Sequence, residues 1–250
     1  MPAEIVALFF SAFMAFYLAT CFAGSVIQTV SGFGFGVFAM SLFPYFMPSY
    51  GSSIGLSTLL SLTVTGSIAW KMRRHVNWKN LLPPLVTFTV SSALIIAFAA
   101  GQSDALLKKL LGGALIALSV YFIFFNGKIT IRPTVLNGAV AGLLGGVLSG
   151  LFGMGGPPMV VYTLAVSRDN DEYLGTTQAY FALTSVYTTA VRILNGVFTL
   201  EAIPLYLMGL LAVLCGMLVG RRLFSRLGGD GLKKVVYGFM AVSGLLMILQ

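Results

Sequence analysis

Residues 148–158 read LSGLFGMGGPP, and they interrupt a long apolar run in this 250-residue chain. This stretch cannot sustain a helix, because each glycine costs about 1 kcal/mol and each proline removes a backbone donor. A second break, VSGFGFG at 30–36, lies in the first half of the chain. Within a bilayer, an interrupted helix is tolerated only where its backbone is buried in protein or lines a cavity. The two breaks therefore predict one shared internal site.

The composition predicts an all-helical, multi-pass protein of the cell (inner) membrane. Hydrophobic residues make up 58% of the chain and charged residues 9%, with a mean hydropathy of +0.94. The first segment lacks a basic leader region, so we expect a retained membrane span rather than a signal peptide. The net charge of +8 arises from Lys and Arg in loops between apolar runs. That placement is typical of topology signals and of contacts with anionic lipid, and we expect no nucleic-acid partner.

Eight apolar runs are long enough to cross about 30 Å of hydrocarbon. They are residues 5–29, 54–70, 81–100, 105–125, 135–151, 173–194, 202–219 and 231–249. Two shorter pieces, 37–46 and 157–166, directly follow the glycine breaks. Each covers only about 15 Å at the helical rise per residue, so both are predicted to be half-length re-entrant segments.

The chain contains an internal repeat of a four-helix unit. Ser31-Gly32 corresponds to Ser149-Gly150, and Pro84 corresponds to Pro204. We therefore expect one transport domain made of two membrane repeats, 1–125 and 126–250. Basic residues crowd the segments 71–79 and 221–234, whereas the corresponding loops of the other repeat carry little net positive charge. By the positive-inside rule both crowded segments are cytoplasmic, which predicts that the repeats are inverted and that both termini face outward.

The order of these motifs resembles that of the sulfite exporter TauE/SafE family of transporters, over essentially the whole chain. The motifs are the glycine-rich break in each half, Gly175-Thr176-Thr177 at the start of the sixth run, and Gly216-x-x-x-Gly220-Arg221-Arg222-Leu223 at the end of the seventh. The first break departs from the pattern, because its next proline is only at Pro44. The resemblance implies a secondary transporter, commonly an exporter, of a small anion such as sulfite, an organosulfonate or a carboxylate.

The residues at and near the two breaks form the candidate substrate site. A helix that restarts after a glycine break presents unpaired N–H groups and the positive end of its dipole, and both attract an anion. The predicted substrate-binding residues are Gln28, Ser31, Gly32, Gly34, Gly36, Ser149, Gly150, Gly153, Gly155, Gly156, Pro157, Thr176, Thr177, Gln178 and Arg192. The half-helices are expected to begin at Val37 and Pro157.

Two alternatives for these residues stay open at this stage. The glycines could serve close helix packing, as small residues often do in membranes. Arg192 could extend to the membrane interface instead of controlling the passage of anions, because it lies near the end of its apolar run.

The residues that are missing from the apolar runs also restrict the function. All seven acidic residues lie at run ends or in loops, so no carboxylate is available there for a proton relay or a sodium site. A coupling proton or sodium ion would use backbone carbonyls, hydroxyls or the ionisation of the substrate. The two cysteines lie in apolar runs and His75 lies in a basic loop, so we expect no metal site and no cofactor.

Catalysis is not predicted, because the sequence lacks the membrane-embedded motifs of intramembrane proteases. Inverted repeats favour a carrier that works by alternating access. The alternatives are a passive anion channel and a lipid-handling membrane protein. Large apolar surfaces are also compatible with a homodimer.

Overall fold

The computed structural model describes residues 3–125, 132, 134–199, 202–227 and 241–249, and regular secondary structure in these ranges is entirely helical. The helices are α1 (Ala3–Ser31), α2 (Phe35–Met40), α3 (Phe43–Phe46), α4 (Tyr50–Met72), α5 (Trp78–Ala100), α6 (Asp104–Val120), α7 (Val135–Phe152), α8 (Gly156–Val166), α9 (Asn170–Leu194) and α10 (Ile203–Leu227). A 3₁₀ turn, Arg73–His75, follows α4, and a π-helical turn, Tyr121–Phe125, follows α6. Residues 241–249 are also helical.

Six helical segments are long and apolar enough to cross a membrane by length and composition. They are Ser11–Ser31, Tyr50–His75, Trp78–Ala100, Asp104–Phe124, Val135–Phe152 and Ile203–Leu223. The sixth predicted run corresponds to α9, which has the length of a span but buries many polar side chains and is not among these six. The eighth run, 231–249, lies partly outside the described residues.

The outer surface of α5 is suited to lipid. Its exposed large side chains recur every four residues and form one stripe along the helix, namely Leu82, Val86, Val90, Leu94 and Phe98. Side chains four residues apart share a helix face, and an apolar surface of this size marks contact with a membrane or another protein. The protein is thus a membrane protein whose polar residues face inward.

Both predicted helix breaks are confirmed. The first lies between α1 and α2, and the second lies between α7 and α8. Gly32, Gly34 and Gly153 have φ angles of 78°, 112° and 68°, which side chains with a Cβ atom rarely adopt. Each break therefore depends on glycine to reverse the direction of the chain.

The starts of the short helices differ from the prediction. They are Phe35 and Gly156 rather than Val37 and Pro157. The predicted segment 37–46 is also divided into α2 and α3 by a turn at 41–42. Pro44 explains the division, because its ring would clash with the preceding turn and it has no N–H to continue the hydrogen bonds of α2.

Each break is the tip of a helical hairpin. In the first, α2 and α3 fold back along α1, so that Phe35 contacts Gly24 and the rings of Phe43 and Tyr17 lie 5.7 Å apart. In the second, α8 folds back along α7, with Gly155 beside Gly145 and Tyr162 beside Gly138. The hairpins place both breaks inside the protein, away from lipid.

Glycines let each hairpin pack closely against a long helix. A Cβ atom on Gly142 of α7 would lie 2.1 Å from the Pro84 carbonyl oxygen of α5, and one on Gly216 of α10 would lie 2.5 Å from the Phe22 carbonyl oxygen of α1. Such contacts between backbones are typical of membrane helices. For these glycines, close packing is the correct interpretation.

Helices α4 and α9 cross the centre of the protein in opposite directions. The carbonyl oxygen of Met72, at the end of α4, lies beside Gly175 near the start of α9. At the other end, Gly51 of α4 lies beside Val197, just after α9. This antiparallel pair packs beside both hairpins and supplies the side chains that reach both breaks.

The α5–α7 contact gives a direct test of the packing. Gly142→Ala should lower the free energy of unfolding by at least about 2 kcal/mol, because the new methyl group meets backbone atoms that cannot move aside easily. The fraction of protein that stays monodisperse after heating in detergent measures this effect. Gly113→Ala is the matched control, because a Cβ atom at Gly113 would meet no atom within 4 Å. Equal heat resistance of the two variants would contradict the proposed contact.

Candidate functional site

The two helix breaks meet at a central cavity. A Cβ atom on Gly36 would lie only 2.6 Å from the Gly153 carbonyl oxygen, so the two breaks are in direct backbone contact. A cavity of about 60 Å³ lies against this contact. A water molecule takes up about 30 Å³ in the liquid, so the central cavity has room for ordered water or a small solute.

Backbone, hydroxyl and aromatic groups line the central cavity. The breaks contribute Gly34, Gly36, Gly153, Met154, Gly155, Gly156 and Pro157. The polar side chains are Gln28, Thr58, Ser61, Ser149, Thr184 and Ser185. The apolar ones are Phe33, Val37, Phe88 and Phe181. No carboxylate is found among these described lining residues.

Gln28 is oriented by the start of α2. Its Oε1 atom accepts a hydrogen bond from the Phe35 backbone N–H at 2.9 Å, and the Ser61 hydroxyl lies 3.5 Å from the same oxygen. The side chain is buried. Because the amide oxygen is used within the protein, the NH₂ group of Gln28 is the part that can donate to a ligand in the central cavity.

The start of α8 contributes fewer backbone donors than the sequence suggests. The first four N–H groups of a helix have no partner within the helix. Here two of those four positions are Pro157 and Pro158, which have no N–H, so the unpaired amides are those of Gly155 and Gly156. Since α8 has 11 residues, the positive end of its dipole also faces this point. By contrast, α2 has only six residues and the N–H of its first residue is bonded to Gln28.

Several predicted substrate-binding residues do not line the central cavity. The Ser31 hydroxyl donates to the Ile27 carbonyl at 2.7 Å, and Gly150 packs against Ile95. Thr176 accepts a hydrogen bond from the Asn77 backbone N–H at 2.9 Å, and Thr177 bonds Thr163 at 2.8 Å. These residues join neighbouring segments of the protein instead.

Gln178 and Gly32 contact each other at the first break. The Gln178 amide nitrogen donates to the Gly32 carbonyl oxygen, which ties α9 to the first break. The Gln178 side chain is fully buried, and its own amide oxygen has no partner among the described residues. Gln178 therefore holds the first break in place from the second half of the chain.

Arg192 is buried and does not extend to the membrane interface. Its side chain is 1% exposed, and its guanidinium donates to the Thr58 hydroxyl at 3.1 Å and to the Ser149 carbonyl oxygen. Both acceptors belong to residues that line the central cavity. The interface alternative for Arg192 is therefore wrong.

Some lining residues were not predicted, although part of the signal is present in the sequence. Thr58 and Ser61 lie one helical turn apart, and Ser185 lies seven residues after Gln178, so each pair shares a helix face. A polar stripe of this kind in an apolar chain indicates an internal surface. The lining phenylalanines have no such signal, because aromatic residues are common throughout the apolar runs.

Two further cavities flank the central one. The basic-side cavity, of about 570 Å³, includes Lys71 and Arg221 and shares Phe33 with the central cavity. The outer cavity, of about 190 Å³, lies at the other end of α9 and includes Asp104 and Arg192. Phe33 lines both the central and the basic-side cavity. Arg192 lines the outer cavity and donates to Thr58 and Ser149, which line the central one.

The described residues contain no cluster of three or more His, Cys, Asp or Glu side chains that could hold a metal ion. Cys21 is buried and Cys215 is exposed, and both are free thiols. The polar side chains that line the central cavity are an amide and hydroxyls, which suit the binding of a small solute.

Comparisons with known proteins agree with this architecture. The family model for the sulfite exporter TauE/SafE matches residues 16–247. A protein of Cupriavidus necator, described as a probable sulfite/organosulfonate exporter TauE, is 22% identical over 243 residues, which is 91% of this chain and 90% of that protein. A probable membrane transporter protein of Methanocaldococcus jannaschii is 30% identical over 156 residues, covering 58% of this chain and 57% of that protein. No solved structure matches the chain at comparable significance. The chain thus belongs to the sulfite exporter TauE/SafE family of membrane transporters and is not an enzyme.

Proposed function

We propose that this protein is a secondary transporter that exports a small anion, such as sulfite, an organosulfonate or a carboxylate, by alternating access. The observation that carries the proposal is the central cavity, where two helix breaks and neutral donors surround a space without a carboxylate among its described lining residues. The name of the Cupriavidus necator relative favours sulfite and organosulfonates over carboxylates.

The size of the central cavity favours a compact oxyanion. Its volume is only about 60 Å³, and sulfite is a compact anion of four non-hydrogen atoms. A longer sulfonate would place its tail past Phe33 in the basic-side cavity, which is about 570 Å³. We therefore expect sulfite to bind with its whole volume in the central cavity.

The anion would be held by donors from both halves of the chain. The Gln28 NH₂ group comes from α1, and the Gly155 and Gly156 amides come from the start of α8. Phe33, Phe88 and Phe181 would exclude water from the bound anion. In such a dry site each hydrogen bond to a charged oxygen is stronger than in water.

We also propose that the two repeats are inverted. Corresponding helices α4 and α9 are antiparallel, which supports this arrangement. The first break lies near Tyr173, at the basic-loop end of α9, whereas the Leu151 carbonyl before the second break accepts a hydrogen bond from Tyr50 at the opposite end. These positions support hairpins that enter from opposite sides, as in many transporters built from inverted repeats.

Labelled-anion uptake and counterflow in proteoliposomes test the function. Saturable counterflow of sulfite, a short sulfonate or a carboxylate, responding to an imposed pH or sodium gradient, is the expected result. Flux without saturation or counterflow would favour a passive anion channel. Lipid exchange without anion flux would favour a lipid-handling protein.

The inverted arrangement can be tested with single cysteines in a Cys21→Ser, Cys215→Ser background. Arg74→Cys and Asn195→Cys lie after corresponding helices of the two repeats. We expect an impermeant thiol reagent to label position 74 only from the cytoplasmic side and position 195 only from outside. Labelling of both from the same side would show that the repeats are parallel.

Gln28→Glu tests the anion site. The new carboxylate can still accept from the Phe35 N–H, but it loses the NH₂ donor and adds negative charge, so anion affinity should fall at least about tenfold. The measurement is the KM of sulfite uptake. Gln250→Glu, the same change at the last residue of the sequence, should leave KM nearly unchanged. Equal KM values for the two variants would show that Gln28 does not bind the anion.

Lys71 and Arg221 line the basic-side cavity, and we expect them to attract the anion electrostatically. Lys71→Gln with Arg221→Gln should raise the KM of uptake from the cytoplasmic side by about threefold to tenfold at low salt, because two cations that attract the anion are lost. The effect should shrink at high ionic strength. Arg74→Gln is the control, because Arg74 lies in the same basic loop but does not line this cavity. A KM change that is independent of salt would argue against attraction.

A further inference from the structure

Arg192 occupies the boundary between the central cavity and the outer cavity. Its guanidinium donates to Thr58 and to the Ser149 carbonyl, and both of these residues line the central cavity. Arg192 itself lines the outer cavity, together with Asp104 and Asn195. The bonded guanidinium therefore lies between the two spaces.

The charge of Arg192 is not matched by an anionic partner in the described part of the chain. Its two hydrogen-bond acceptors are a hydroxyl and a backbone carbonyl, and both are neutral. Asp104 lines the same outer cavity, but its carboxylate accepts a hydrogen bond from the Tyr50 backbone N–H and forms no ion pair within 4 Å of the guanidinium. A buried cation without a counter-ion is costly, and at membrane depth such a residue points to a function.

The two acceptors come from different halves of the chain. Thr58 belongs to α4 in the first half, whereas Ser149 and Arg192 belong to α7 and α9 in the second. The hydrogen bond from Arg192 to Thr58 therefore crosses between the halves. A movement of one half against the other changes this bond.

We propose that Arg192 is the gate of the central cavity on the side away from the basic loops, and that the transported anion opens it. In the closed state the guanidinium bridges Thr58 and Ser149. An anion in the central cavity replaces these neutral acceptors as the partner of the guanidinium, and the bridge between the halves is released. This inference rests on the proposed anion transport, but the gate can be tested without any transport measurement.

The test places a reporter thiol behind the gate. Ser185 lines the central cavity, so Ser185→Cys in the Cys21→Ser, Cys215→Ser background provides a reporter there. The probe is the uncharged reagent 2-hydroxyethyl methanethiosulfonate, applied from the outer side in the absence of the candidate anions. Because it carries no charge, the probe does not open the gate as an anion would. The loss of a nearby positive charge lowers the thiolate fraction and by itself would slow the reaction, so faster labelling indicates an opened path.

We expect Arg192→Gln to increase the rate of labelling at position 185 at least tenfold. Thr58→Val, which removes one acceptor and leaves Arg192 in place, should give a smaller increase. Asn195→Cys, on the outer side of the gate, should react at the same rate with and without these changes. Size-exclusion chromatography checks that each variant is folded, and Thr58→Val decides the test if Arg192→Gln does not fold.

Unchanged labelling of position 185 in the folded variants would overturn the gate. Faster labelling in a protein that moves none of the tested anions would support the gate and overturn the proposed function. Faster labelling together with loss of saturable counterflow in Arg192→Gln would support both. The failure of the gate and the failure of the function are thus distinguished by separate measurements.

Discussion

The constraint behind this fold is that backbone polar groups inside a bilayer must be bonded or shielded from lipid. Two helices are interrupted by glycine, and neither interruption could face hydrocarbon alone. The protein meets the constraint by bringing the interruptions together, so that Gly36 and Gly153 touch through their backbones. The unpaired amides of one break then face a small internal cavity, where a polar solute can satisfy them.

The surrounding helices follow from that requirement. A break can reach the centre only if its hairpin packs closely against neighbouring helices, and glycine at positions such as 142 and 216 removes the side chains that would prevent this. Glycine thus has two separate roles in the chain. At Gly32, Gly34 and Gly153 it supplies a backbone conformation, whereas along α7 and α10 it supplies space. The two roles involve different neighbours and respond differently to substitution by alanine.

The sequence predicted the membrane class, the two breaks and their meeting point, because glycine and proline act locally and leave a clear pattern. It predicted Gln28 and Ser149, but not the other polar residues that reach the cavity. Thr176 and Thr177 are near the second break along the chain, but their hydroxyls bond Asn77 and Thr163. Thr58 and Ser185 are distant in sequence and line the cavity because of how α4 and α9 cross. Tertiary packing brings these residues together, and the spacing of residues within one segment does not predict it.

The long helix α9 contacts both breaks through its side chains. Gln178 donates to the Gly32 carbonyl, and Arg192 donates to the Ser149 carbonyl. These two side chains are 14 positions apart, which places them about 21 Å apart along the helix and on nearly the same face. A rigid rod held at two such points behaves as a lever. When it tilts about its middle, its ends move in opposite directions, so a contact that loosens at one end is accompanied by displacement at the other. One continuous helix therefore couples the two breaks mechanically, so that a displacement at Gly32 is transmitted to Ser149.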